Sequence, residues 1–177
     1  MRNKGSLYTG LLIGSLGVIM FVAQLTRGGR LFGMRLGWGG AWPLFVLWAG
    51  AAFLLPLAIW WERRRSLAGL VIPGTIITAN GLLLLFQNVT GLWGTWAYLW
   101  TVEPMAVGLG LLLFYVIADR NGGVLLAAGI VGGVGLLMLL IFSGTFTYLG
   151  PLLIIAMGVV LAVAGLGRGG RRASPPL

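Results

Sequence analysis

Two long stretches of this chain carry no ionisable acid or base other than tyrosine, and they limit the fold more than any other feature. They cover residues 67–102 and 121–167. A short chain cannot hide such runs in a soluble core, because a small domain leaves much of its surface in water. The whole chain is 59% hydrophobic and 8% charged, whereas soluble domains carry about a quarter charged residues. We therefore predict an integral membrane protein.

Six apolar runs are long enough to cross a bilayer as helices, which takes about 20 residues each. They lie at residues 7–25, 42–61, 67–86, 98–118, 123–142 and 146–166. The runs are uniformly apolar and lack the alternation of barrel strands. The first run, preceded by Arg2 and Lys4, also suits a signal peptide. Its length and the absence of a small-residue cleavage site after it favour a retained helix.

The six runs form three similar pairs. Each pair has a small residue, a glycine seven positions later, an apolar run, a loop, and a second helix that opens at a proline: Pro43, Pro104 or Pro151. Glycines spaced by four, such as Gly10 and Gly14 or Gly129 and Gly133, permit close helix contact. Packing within the bundle is the expected use of these glycines, and a dimerisation face is the alternative. The predicted fold is an all-α integral membrane domain over residues 1–167, built from three tandem parallel helical hairpins. Their approximate ranges are 7–61, 67–118 and 123–167, and a disordered basic tail follows at 168–177.

The twelve lysines and arginines are distributed unevenly between the two sides of this topology. Nine fall on the side of the chain ends and three on the other side, at Arg27, Arg30 and Arg35. The positive-inside rule then places both termini in the cytoplasm. Tryptophan and tyrosine cluster near the ends of the runs, as expected at two membrane interfaces. The net charge of +9 indicates contact with anionic lipid headgroups rather than nucleic acid.

Few residues could carry chemistry. The chain has no cysteine or histidine and only three acidic residues, so we expect no metal site, no cofactor and no catalytic centre. Glu62 and Asp119 each adjoin an arginine and read as solvated loop charges. The remaining polar candidates are Glu103 and Asn80.

Glu103 lies immediately before Pro104, and a proline suits the first turn of a helix. We expect this carboxylate at the outer interface near a helix N-terminus, where the helix dipole favours an anion. The alternative is a span that starts earlier, kinks at Pro104 and turns Glu103 toward a cavity. Asn80 lies inside an apolar run. It is expected to form a hydrogen bond to a neighbouring helix, and ligand binding is the second interpretation. Three other amide side chains lie near the ends of the runs and are expected at the membrane interface: Gln24, Gln87 and Asn88.

The pattern of two spaced glycines, an apolar run, a short loop and Trp42-Pro43-Leu44 resembles the LiaI/LiaF-like transmembrane region of bacterial envelope-stress proteins. The first unit resembles it best, through Gly10 and Gly17. The second unit keeps Asn88 and Pro104 but has Glu103 in place of the tryptophan, and the third has Gly150-Pro151-Leu152. The resemblance implies a membrane regulator or anchor that is not an enzyme. LiaF-type proteins continue into a β-rich domain, whereas this chain ends in GLGRGGRRASPPL.

These observations predict a non-enzymatic multi-pass protein of the bacterial cytoplasmic membrane. It would act as a scaffold, an accessory subunit or an envelope-stress regulator through contacts with other membrane proteins. The alternative is a small transporter or channel for a neutral or apolar molecule, with a cavity that involves Asn80, Thr75, Thr78 or Glu103. A third class, an enzyme acting on lipid, would have only Glu103 as its acid.

Overall fold

The computed structural model describes residues 3–25, 30–31, 34–35, 38–118 and 120–169. The chain divides into two compact units, with the boundary between residues 139 and 140. Arg2, Arg27, Asp119, Arg171 and Arg172 lie outside the described residues, as does the predicted tail from residue 170 onward.

The described part is almost entirely helical. Its helices are α1 (Lys4–Leu25), α2 (Trp38–Ile59), α3 (Arg64–Leu67), α4 (Val71–Thr90), α5 (Trp96–Leu99), α6 (Val102–Ile117), α7 (Gly122–Phe142) and α8 (Thr145–Gly169). Single 3₁₀ turns occupy Trp61–Arg63, Ala68–Leu70 and Trp93–Thr95. Between α1 and α2 a two-residue antiparallel ladder pairs β1 (Arg30–Leu31) with β2 (Met34–Arg35). This small ladder departs from the purely helical prediction.

Helices dominate because a chain in hydrocarbon must satisfy every backbone polar group within the segment. Local residues then set where the helices end. Asn121 Oδ1 accepts the Gly123 N–H at 2.8 Å and so caps the first turn of α7. Gly91 has a left-handed backbone, with φ +73°, and its N–H donates to the Gln87 carbonyl at 2.8 Å. Glycine adopts this conformation without steric cost, which ends α4.

Four helical segments are long and apolar enough to cross a membrane: Lys4–Leu25, Gly39–Ile59, Trp61–Thr90 and Gly122–Phe142. A fifth is obtained if Trp93–Leu99 and Val102–Ile117, which meet at a bend of 57°, count as one broken span. The sixth predicted span coincides with α8, in which Gly150–Val163 forms a shorter apolar helix. The described residues are therefore helical, with four or five candidate spans among them.

In the first unit, the helices pack in chain order. α1 contacts α2, α2 contacts α4, and α4 contacts α6. The most extensive of these contacts, α2 with α4, joins the first predicted hairpin to the second and lies inside neither. The boundary at residues 139 and 140 falls inside α7, in its last turn, so that most of α7 belongs to the first unit and α8 belongs to the second.

Glycines on α4 and α6 allow these close contacts. A Cβ at Gly81 would lie 2.8 Å from Leu47 Cδ2, and a Cβ at Gly74 would lie 2.6 Å from Leu54 Cδ2, both on α2. On α6, a Cβ at Gly108 would lie 2.5 Å from the Gly132 Cα of α7. Backbones approach this closely only where a side chain is missing, as is usual between helices in membranes.

The glycines that the sequence analysis selected for packing are different ones, and that prediction is wrong. A Cβ at Gly10, Gly14, Gly129 or Gly133 would meet no atom within 4 Å. In the described residues these glycines of α1 and α7 therefore face outward. Glycine spacing does not by itself reveal which face of a membrane helix meets a neighbour.

The prediction that prolines open the second helices also needs correction. Pro104 is the third residue of α6, but α2 begins at Trp38 and α8 at Thr145, well before Pro43 and Pro151. A proline inside a helix removes one N–H and frees a carbonyl one turn earlier. Pro43 deprives the Gly39 carbonyl of its usual donor, and the next carbonyl along the chain, that of Gly40, accepts a hydrogen bond from Asn88 Nδ2 of α4 at 2.8 Å.

Candidate functional site

Glu103 lies in the first turn of α6, with an exposed side chain. Its backbone N–H donates to the Trp100 carbonyl at 3.1 Å, across the bend that precedes α6. The dipole of α6 favours an anion at this position by about 0.3–1 kcal/mol. The chain does bend before α6, as the alternative interpretation required, but the bend falls before Val102 and not at Pro104.

Asn80 is half-buried, and its Nδ2 donates to the Ile76 carbonyl of its own helix at 3.1 Å. The expected hydrogen bond to a neighbouring helix is therefore replaced by a local one. A backbone carbonyl one turn earlier is a common partner for a short polar side chain inside a helix.

The other two candidate cavity residues point to different neighbours. Thr75 is buried where α4 meets α6, with its Cβ 3.6 Å from the position of a Cβ at Gly110. Thr78 packs against Gly50 of α2, and its buried Oγ1 has no hydrogen-bond partner in the described residues. Thr75, Thr78, Asn80 and Glu103 thus serve separate contacts, and the structure does not gather them into one site.

Polar contacts that the sequence did not suggest join α1 to α2 and to the turn after α2. Lys4 Nζ contacts both carboxylate oxygens of Glu62, at 2.8 and 2.9 Å. Tyr8 Oη donates to the Ala52 carbonyl at 3.0 Å, and its ring meets Trp60 edge-on with centroids 5.7 Å apart. We call these three contacts, of Lys4 with Glu62 and of Tyr8 with Ala52 and with Trp60, the hairpin clasp.

Glu62 belongs to the turn between α2 and α4 and is highly exposed. The Lys4 hydrogen bond lowers the pKa of Glu62 below its ordinary value of 4.5, and the nearby charges of Lys4 and Arg63 act in the same direction. The exposure of Glu62 agrees with the prediction that it is a solvated loop charge. The ion pair with Lys4, 58 residues away, is an addition to that prediction.

The largest fully buried polar side chain of the described residues is Gln87, which the sequence predicts at the membrane interface. Gln87 has no exposed surface, because α4 continues to Thr90 and the segment after it folds back. Gln87 Nε2 donates to Thr95 Oγ1 at 3.2 Å, and the Thr95 hydroxyl donates to the Leu92 carbonyl at 2.6 Å. Gln87 Oε1 is buried without a partner in the described residues. One signal in the sequence indicated this burial. Gln87 lies seven residues after Asn80, so both amides lie on one face of the helix.

Aromatic side chains mark both ends of the α2 helix. Tyr8 and Trp60 meet at its C-terminal end, whereas Trp42 and Trp93 stack at its N-terminal end with centroids 6.4 Å apart. A helix of 22 residues spans roughly 33 Å at 1.5 Å per residue. This separation is close to the hydrocarbon thickness of a bilayer, so the two aromatic groups suit its two interfaces.

The residues that the structure describes contain no group of three or more His, Cys, Asp or Glu side chains that would hold a metal ion. Comparison with protein-family models, with curated proteins and with solved structures finds no match for this chain.

Proposed function

We propose that this protein is a non-enzymatic multi-pass protein of a bacterial cytoplasmic membrane. It acts as a scaffold, an accessory subunit or an envelope-stress regulator by packing its helices against other membrane proteins. This is also the role implied by the resemblance to LiaI/LiaF-like transmembrane regions. In this proposal all six spans that the sequence predicts cross the bilayer, and both termini are cytoplasmic.

The observation that carries the proposal is the outward face of α1. Gly10, Gly14 and Gly17 lie on one face of this helix, by their spacing of four and three. A Cβ at any of them would meet no atom within 4 Å. We call these three residues the open glycine face. It would let the backbone of a partner helix approach closely.

The rest of α1 supports this assignment. Only 6% of the most apolar 18-residue stretch of α1 is buried, and Ala23 is the one buried residue of this helix. Polar contacts nevertheless hold α1 to α2, since Trp48 Nε1 lies 3.1 Å from both the Leu12 carbonyl and Ser15 Oγ. The helix is thus fixed on one side and open on the other, as a docking helix requires.

Affinity purification of the full chain from its native membrane, with crosslinking before solubilisation, tests the proposal. We expect Gly14→Leu to remove a co-purifying membrane protein, because the larger side chain keeps a partner helix from the open glycine face. Gly69→Leu is the matched control, since a Cβ at Gly69 also meets no atom within 4 Å but lies in the turn between α2 and α4.

The proposal would be overturned if no membrane protein co-purified with the wild-type chain, or if Gly14→Leu and Gly69→Leu retained the same partners. Thermal unfolding in detergent checks that both variants remain folded. We expect little loss for either, because leucine is a better helix former than glycine and both positions have room for it.

A further inference from the structure

An apolar groove runs between α1 and α2 on the first hairpin and has a volume of about 380 Å³. The Trp48 indole lines the groove, and its N–H is already hydrogen-bonded to α1. The other lining residues are Leu11, Ser15 and Ile19 of α1 and Leu44, Leu47, Ala51 and Leu55 of α2. The lining is thus mainly hydrocarbon and has the elongated form given by two neighbouring helices.

One end of the groove lies near a cluster of cations. Leu11 is seven residues from Lys4, which corresponds to roughly 10 Å along a helix, and Leu55 is close to the end of α2. Beyond that end follow Arg63, Arg64 and Arg65. The Arg64 guanidinium lies over the Trp61 ring, 4.6 Å from its centroid. Glu62 is the one carboxylate among the described residues of this turn, and Lys4 already pairs with it.

From this juxtaposition we propose that the first hairpin binds one anionic glycerophospholipid. An acyl chain occupies the groove between α1 and α2, and the phosphate lies against Arg63 and Arg64. The positive charge of the turn selects an anionic lipid. The turn contains three arginines and one carboxylate, and that carboxylate is already paired with Lys4. In this site Tyr8 and Trp60 of the hairpin clasp lie at the depth of the lipid glycerol, between the lipid headgroup and its acyl chains.

This site goes beyond general attraction of a basic surface to a membrane, since it requires one lipid to contact both the groove and the arginines. It is also independent of the open glycine face: the groove lining and the three glycines occupy different sides of α1, given 100° per residue. Loss of one is not expected to remove the other.

Native mass spectrometry of the full chain, released from detergent micelles, measures the retained lipid directly. The two probes are phosphatidylglycerol and phosphatidylcholine with identical acyl chains. We expect the wild-type chain to retain phosphatidylglycerol more strongly, at one lipid per chain. Replacing Arg63 or Arg64 by glutamine should weaken that retention by about fivefold for each arginine and leave phosphatidylcholine unchanged. Arg120→Gln, in the turn between α6 and α7, is the control for charge.

A second pair of variants tests the groove. Ala51→Leu places a larger side chain in it and should reduce retention of both lipids, whereas Ala58→Leu changes an exposed residue of the same helix outside the groove. If Ala51→Leu lowers the unfolding temperature, Leu11→Phe fills the opposite wall. Equal retention of the two lipids by the wild-type chain would overturn the proposal. So would unchanged retention in a folded variant with a blocked groove.

Discussion

At the scale of single residues, the close packing of helices in this protein depends on which positions are glycine and so lack a side chain. Gly108 lies on α6, and a Cβ there would approach the Gly132 backbone to 2.5 Å. A backbone cannot move aside as a side chain can. Gly129 lies on α7 one turn from this contact, but a Cβ there meets no atom within 4 Å. The two positions therefore form a matched pair.

We expect Gly108→Ala to destabilise the protein by about 1–3 kcal/mol, the usual cost of overpacking. Gly129→Ala should be neutral or stabilising by up to about 1 kcal/mol, since alanine is the better helix former. Unfolding in mixed micelles, followed by circular dichroism, measures both changes. Equal effects of the two substitutions would contradict the close approach of α6 to α7.

The buried amide of Gln87 gives a second prediction at this scale. Thr95→Val removes the partner of Gln87 Nε2 and leaves two buried polar atoms of one side chain unsatisfied, so we expect a loss of about 1–3 kcal/mol. Gln87→Leu removes both atoms together and should cost less. Thr95→Val should then have a smaller effect in the Gln87→Leu background, which a double-mutant cycle measures. Strict additivity of the two changes would show that the hydrogen bond at 3.2 Å contributes nothing.

At the scale of elements, the hairpin clasp decides how α1 is attached. Lipid surrounds α1 as favourably as another helix does, so apolar packing gives little preference for the docked position. The polar contacts of Lys4 and Tyr8 therefore contribute a larger share of the free energy that docks α1 on α2 than they would between helices in water. The pKa of Glu62 is lowered by Lys4, so its carboxylate stabilises the clasp above the ordinary glutamate pKa of 4.5. That contribution is lost as the pH falls through the lowered value of the folded protein.

We therefore expect the end of α1 to stay in place at neutral pH and to separate from the turn after α2 only in acid, at a pH below the ordinary glutamate pKa of 4.5. The chain has no cysteine, so Ser6→Cys and Ser66→Cys can carry a pair of spin labels without further changes. The distance distribution between them should broaden in acid. In Glu62→Gln the same broadening should already be present at neutral pH. A wild-type distance that does not change with pH would contradict the role of the ion pair.

The elements also show how far the sequence could predict this structure. The helices at Lys4–Leu25, Gly39–Ile59 and Gly122–Phe142 lie close to their predicted positions, because length and lack of charge are sufficient signals in hydrocarbon. The packing face was not predictable, since lipid-facing and neighbour-facing residues are both apolar. Gly10 was therefore indistinguishable from Gly81. Gln87 was misplaced because its burial depends on the return of residues 93–99 over α4, which no local pattern specifies.

At the scale of the whole molecule, the number of membrane crossings fixes the arrangement of everything else. The described residues up to Phe142 contain four candidate spans, or five with the bent pair, and α8 decides between an odd and an even total. With six crossings, both chain ends lie on the side of the Lys4–Glu62 ion pair. With five, the C-terminal end moves to the side of the stacked Trp42 and Trp93. The arginines favour six, because nine of the twelve basic residues then face the cytoplasm.

Accessibility of single introduced cysteines in intact cells separates these topologies. We expect Ser66→Cys, Asn121→Cys and Ser174→Cys to be protected from a membrane-impermeant thiol reagent, and Gly94→Cys to react with it. All four should react once the membrane is opened, which controls for burial. Labelling of Ser174→Cys from outside, with Ser66→Cys still protected, would leave an odd number of crossings. The third hairpin would then be lost from the fold, while the lipid groove and the open glycine face, which lie wholly on the first hairpin, would keep their positions.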